Sequence, residues 1–208
     1  MRDSGVGRVL VASLHEAIAD VLPTRLTFYE SWLTPEGLRD GTIGLAPLYA
    51  VLSFLRQEGA AYARVTAAAG TYAADWTVAS MPAMRRNWIR MLPRPLRRRA
   101  VLRRAAAVVR DSYAGNTMKW RVRRGVARVR VRGSVFCEVR EPVPQPLCTF
   151  FAAIIEEMAR QYGVPVGVSI ASCRAARSEL CEMQVTFGVE SASAAADSAE
   201  TTTEEEHA

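Results

Sequence analysis

Apolar positions recur at helical spacing through the first half of the chain and at alternating spacing in part of the second. Over residues 7–22, Val9, Leu10, Leu14, Ile18, Val21 and Leu22 share one helical face, and Pro23 stops the run. Residues 25–33 are rich in aromatics and read as a strand or a short helix. Thr34-Pro35-Glu36-Gly37 reads as a turn or a helix start, and Asp40-Gly41 as a turn. Leu48, Val51, Leu52 and Leu55 predict a helix over 44–58, ended by Gly59. Residues 60–80 predict an Ala-rich helix carrying Tyr62, Val65, Ala69, Tyr72, Ala73 and Trp76. Its small residues suit close approach of a neighbouring helix or of a flat ligand. Helices over 83–92 and 96–113 follow, separated by Pro93-Arg94-Pro95.

The period then changes. Residues 118–124 and 126–139, on either side of Gly125, alternate at close to period two, which predicts a hairpin with one apolar and one arginine-rich face. Pro142, Pro144 and Pro146 mark an exit loop. Leu147, Phe150, Phe151, Ile154, Ile155, Met158 and Tyr162 predict a helix over 147–162, capped by Gly163, with strands over 164–170 and 180–187. Helices, a hairpin, a helix and a second pair of strands make an α+β fold, its helical N-terminal half packed on a small antiparallel sheet. Residues 1–189 read as one domain.

Charge divides the chain unevenly. The net charge is +6, yet residues 190–208 hold six acids and no Lys or Arg, which leaves +12 on residues 1–189. The 190–208 stretch has no large apolar residue and reads as a disordered acidic tail. Ten arginines lie between Arg85 and Arg110, and Asp111 is the first acid to follow. Val101, Leu102, Ala105, Val108 and Val109 put those of the second helix on an outer face, which a solvated surface explains. An acidic protein partner or an anionic membrane surface is the functional reading; no DNA-binding motif accompanies the run, which disfavours nucleic acid. No apolar run approaches the roughly 20 residues that span a bilayer. The start lacks the apolar core of a signal peptide, so a cytoplasmic location is expected. There the four cysteines are reduced, metal-bound or simply buried rather than disulfide-linked.

Catalytic machinery is not legible. There is no GxGxxG after a strand, no P-loop and no NAD or flavin signature, and Gly5-Val6-Gly7 lacks a preceding strand. His15 and His207 are the only histidines, so there is no Ser-His-Asp set, and His15 alone is a weak haem or metal ligand. A pocket between helices, lined by some of Tyr72, Trp76, Trp88, Phe150, Phe151 and Met158, can hold a flat apolar ligand; each of these taken singly is more often an ordinary core residue. Cys137, Cys148, Cys173 and Cys181 include no short CxxC knuckle, so spacing alone leaves open a thiolate metal site or buried core thiols.

The end of the chain, residues 126–188, resembles the 4-vinyl reductase domain, a family grouped with the bacterial relatives of TRAPP vesicle-tethering subunits. The carriers are a strand ending near Cys137, a helix opened by Cys148, the strand Val166–Ser172 leading to Cys173, and the closing strand begun by Cys181. The resemblance implies a TRAPP-like α+β fold and a homodimer. It also implies a zinc held by three cysteines and a glutamate. The cysteines carry over to Cys148, Cys173 and Cys181; the glutamate position is Ile170 here, and Cys137 is the candidate replacement, with water or Glu179 as other ways to complete the site. The implied function is binding of a hydrophobic small molecule, a tetrapyrrole intermediate, in bacteriochlorophyll synthesis or sensing. The alternatives are the 4-vinyl (8-vinyl) reductase itself, with its hydride donor supplied by a partner, and a TRAPP-like dimeric adaptor.

Overall fold

The helical spacings fold as α1 (Arg8–Val21), α2 (Leu26–Glu30), α3 (Pro35–Asp40), α4 (Leu45–Gln57), α5 (Ala60–Ala79), α6 (Ala83–Met91), α7 (Arg94–Ser112) and α8 (Thr149–Gln161). The strands are β1 (Thr117–Arg123), β2 (Val126–Arg132), β3 (Val166–Ser172) and β4 (Cys181–Phe187). This computed structural model describes residues 6–189; the expected acidic tail and His207 lie outside the described residues. The aromatic stretch after Pro23 resolves as the short helix α2. Thr34 opens α3 by accepting the Gly37 N–H at 3.1 Å. Pro95 sits in the first turn of α7, where its missing N–H costs no helical bond, so the helix starts at Arg94 rather than 96.

The four strands form one antiparallel sheet in the order β1-β2-β4-β3. The β1–β2 hairpin turns on Arg124 and Gly125, both at positive φ, the backbone that a two-residue connection requires. Ala127, Val129 and Val131 of β2 and Cys181, Met183, Val185 and Phe187 of β4 are buried on the inner face, as the alternation predicts. Helix α8 lies over that face, α5 packs on α8, and α1 packs on α5. Burial of Phe150, Phe151, Ile154, Ile155 and Met158 on α8 stabilises this layering by about 1.5–3 kcal/mol per side chain. The architecture is therefore α+β, helical first and sheet second.

Further boundaries differ from the sequence pattern, β3 among them, which runs over Val166–Ser172 rather than 164–170. The second hairpin strand ends at Arg132 rather than running to residue 139, because Gly133 (φ +74°) turns the chain away from the sheet. A Cβ at Gly133 would stand 2.3 Å from the Gly115 carbonyl oxygen, so only glycine fits. Beyond it Val135, Phe136 and Cys137 are consecutive and all buried, forming a 3-10 turn instead of alternating. The predicted helix over 147–162 begins two residues late, with Cys148 as its N-cap. The turn after Cys173, with no Gly or Pro from Arg174 to Leu180, is partly helical as that composition suggests, with a 3-10 turn over Arg174–Ala176.

Candidate metal centre

Four chain segments meet at one end of the sheet, and each delivers a cysteine. The Gly133 turn delivers Cys137, the N-cap of α8 delivers Cys148, the end of β3 leads to Cys173, and the first residue of β4 is Cys181. All four are buried, and their sulfurs lie within 4.8 Å of one another. The Sγ–Sγ separations are 3.4 Å for Cys137–Cys181, 3.5 Å for Cys137–Cys173 and 4.0 Å for Cys173–Cys181. A tetrahedral thiolate site with metal–sulfur arms of about 2.3 Å has edges of about 3.8 Å. The cluster is thus already the size of such a site, and too open for a disulfide, whose sulfurs stand about 2.05 Å apart.

The surroundings favour thiolates on two of the four. The Leu147 N–H donates to Cys173 Sγ at 3.3 Å, and the Arg174 N–H donates to Cys181 Sγ at 3.4 Å. Hydrogen bonds from Cys137, Cys148 and Cys181 push the Cys173 thiol down, against its burial. Bonds from Cys137 and Cys148 push Cys181 down as well. Cys148 is pushed up by its bonds to Cys137, Cys173 and Cys181 and by burial. For Cys137, the bond from Cys148 lowers the thiol, but the bonds to Cys173 and Cys181 and burial raise it further. The backbone N–H donors on Cys173 and Cys181 thus act in the same direction as the shifts of those two thiols. A cation at the centre would favour the thiolate at all four sulfurs.

Residues that carry no sequence signal hold the cluster. Arg56, in the last turn of α4, donates at 3.1 Å to the carbonyls of Phe136 and of Glu138, one on each side of Cys137. Its guanidinium brings positive charge beside a site that would be dianionic with a divalent ion bound. Tyr62 donates to the Leu147 carbonyl at 3.3 Å. Burial raises its phenol, and the charges of Cys137 and Cys173 add to the rise. Thr66 and Thr149 share a hydrogen bond of 2.5 Å that fixes α5 against the start of α8, one residue from Cys148. Replacing Arg56 with Met is expected to weaken metal binding on the order of tenfold, as outer-shell losses do, in a chelator competition; equal affinity would remove Arg56 from this role.

The six aromatic and thioether candidates do not meet around one space. Phe150, Phe151 and Met158 are fully buried on α8. Phe150 stacks on Phe136 at 4.6 Å between ring centroids, with Phe151 edge-on at 5.6 Å. Tyr72 and Trp76 stack on each other at 5.6 Å along α5. Tyr72 also donates to Asp20 of α1, and that bond, then burial, pushes its phenol up to about 12. Trp88 stands exposed on α6. The close approach that the small residues of α5 permit is used by α8 itself. His15 lies outside the thiol cluster and meets Glu30 at 3.3 Å. His15 is thus engaged outside the cluster, and the rings of Phe136, Phe150 and Phe151 pack on one another.

The outer face of the sheet carries Lys119, Arg121, Arg128, Arg130 and Arg132 around a concavity of about 910 Å³. Glu182 there bridges Arg128 at 3.0 Å and Arg130 at 2.9 Å. No helix among the described residues is long and apolar enough to cross a membrane.

No family model matches the chain, and no curated protein matches it in sequence. The resemblance to the 4-vinyl reductase domain therefore rests on the cysteine order and spacing. Among solved structures, an H-NOX protein from S. oneidensis in the Fe(II)NO ligation state matches with a TM-score of 0.54. The match covers 88% of this chain and 99% of that one, at 10% identity. At that identity the likeness is one of fold: this chain shares the α+β architecture of an H-NOX protein.

Proposed function

We propose that the chain is a binding module of the 4-vinyl reductase domain type, stapled by a zinc on Cys137, Cys148, Cys173 and Cys181, that takes up a hydrophobic small molecule. The observation that carries the reading is the convergence of four buried thiols from four separate segments. Three of them, Cys148, Cys173 and Cys181, are the positions the resemblance names, and Cys137 is the candidate replacement for the glutamate, whose position is Ile170 here. Sulfur donors in a tetrahedron suit zinc, and a sphere filled by four protein ligands leaves no position for substrate. The metal's chemistry is then structural: it ties the Gly133 turn, α8, β3 and β4 together. The likeness in fold to an H-NOX protein agrees with a small-molecule-binding role, and a tetrapyrrole is the ligand class the resemblance suggests. The chain lacks its own hydride-donor motif, which weighs against an autonomous vinyl reductase.

A second reading, a TRAPP-like dimeric adaptor, is favoured by one observation. The core around Phe136, Phe150 and Phe151 is filled by its own rings. Elemental analysis, native mass spectrometry and an absorption spectrum on protein from its own host decide between them. One zinc per chain with a bound apolar molecule supports the binding module. One zinc in a ligand-free dimer supports the adaptor. A coloured iron–thiolate spectrum would replace zinc with iron, and no metal at all would return the cysteines to the core.

Acid should release the metal. A bound cation requires thiolates, so its contribution to stability is present at neutral pH and is lost as pH falls and protons compete for sulfur. Metal release followed with a chromogenic chelator is expected to rise steeply on acidification. A pH-independent profile would rule out thiolate ligation.

A further inference from the structure

Helix α6 has two apolar sides, and the fold uses one of them. Ile89 is 3% exposed and packs into the body, and Arg90 holds the helix there with bonds of 3.2 and 3.0 Å to the Gln161 carbonyl. Met84, Trp88 and Met91 are 85%, 63% and 82% exposed. At about 100° per residue these three fall within an arc of about 60°, roughly 130° away from Ile89. Exposed apolar residues are ordinary when scattered singly; a stripe at i, i+4 and i+7 on a helix whose other side is anchored is a surface without its partner. Leu96, at the start of α7, is half exposed as well.

The charge of α6 and α7 is one-signed up to Asp111. Arg85, Arg86 and Arg90 lie on α6, and Arg94, Arg97, Arg98, Arg99, Arg103, Arg104 and Arg110 on α7, with no acid before Asp111. Trp88 and Arg85 line two depressions at once. One, of about 340 Å³, is completed by Pro82 and Met84. The other, of about 440 Å³, lies between α6 and α7 and is lined also by Arg103, Arg104 and Arg110. Burial first, and then the Arg85 guanidinium, pull Arg104 down from its ordinary value. An apolar wall thus adjoins a basic groove.

We propose that α6 and the adjoining arginines of α7 dock the protein on an anionic lipid bilayer. Met84, Trp88 and Met91 enter the boundary between headgroups and acyl chains, with α6 lying in the membrane plane. The arginines extend their charged ends to lipid phosphates, and the α6–α7 groove receives an anionic headgroup. An acidic protein would satisfy the arginines, but the stripe of tryptophan and methionine beside them is the composition of an interfacial helix. The inference does not depend on the metal centre or on the small-molecule ligand.

Flotation of the full chain with phosphatidylcholine vesicles, with and without phosphatidylserine, tests it. The protein is expected to float with phosphatidylserine-containing vesicles, while the Met84→Ser/Trp88→Ser/Met91→Ser variant loses at least tenfold in affinity. Arg85→Gln/Arg103→Gln is expected to lose on the order of tenfold on those vesicles. All five positions are exposed, and thermal melts of both variants should match the parent. In the unaltered chain, brominated lipid should quench a tryptophan signal that disappears in Trp88→Phe, a readout that requires no destabilising change. Equal flotation with both vesicle types, or of the triple variant and the parent, overturns the proposal. Binding to soluble polyglutamate with no flotation overturns it in favour of an acidic protein partner.

Discussion

Cys173→Ser is expected to leave the purified protein without its metal and to lower its melting temperature by about 8–16 °C. A ligand present at a thousandfold excess over its Kd stabilises the native state by about 4 kcal/mol, and each kcal/mol moves the midpoint of a domain this size by about 2–4 °C. Cys173 is the right thiol to remove because the other contacts converge on it. It lies 3.5 Å from Cys137 and 4.0 Å from Cys181, and it receives the Leu147 N–H from the segment leading into α8. A serine oxygen is harder and sits closer to its own backbone, so it would fill neither the ligand position nor the N–H acceptor position. Metal content and melting temperature together read the result. If both are unchanged, the four cysteines are core residues and the zinc proposal fails.

Gly70→Ala should cost about 3 kcal/mol, the upper part of the range for overpacking a core, and so lower the melting temperature by about 6–12 °C. The added Cβ would meet the Phe150 carbonyl oxygen at 2.4 Å and the Ala153 Cβ at 2.9 Å. The nearest atom is backbone, so no rotamer change relieves the contact, and α5 must move from α8. That movement reaches the cysteines, because Tyr62 and Thr66 of α5 hold Leu147 and Thr149 on either side of Cys148. The variant should therefore also bind metal more weakly than the parent at a temperature where both are folded. A stability loss with unchanged metal affinity would show that α5 supports the fold without positioning Cys148.

Much of the helical half is legible in the chain because each helix carries its own period and its own stop signal. Leu48, Val51, Leu52 and Leu55 predict the buried face of α4, and these are its buried residues. Arg128, Arg130 and Arg132 alternate with Ala127, Val129 and Val131 and predict the two faces of β2. The pattern overran at residues 133–139, where the residue types still suit a strand and only the close approach of Gly133 to Gly115 ends it. The aromatic candidates carry no comparable signal. A ring that lines a cavity and a ring that fills a core look identical in sequence, and packing decided for Phe150 and Phe151.

What the sequence determined by itself was the class of the fold, the position of the six longer helices, the one-signed charge of residues 85–110 and the presence of four cysteines near the C-terminal strands. These are local properties, set by spacing along the chain and by side-chain chemistry. The tertiary structure decided which residues stand together. It placed β4 between β2 and β3, brought Cys137 to within 3.4 Å of Cys181 across 44 residues, and set Arg56 on the carbonyls flanking Cys137. It also left Met84, Trp88 and Met91 outside while burying Ile89. A helix can carry apolar residues on two faces, and only the position of its neighbours determines which face is covered.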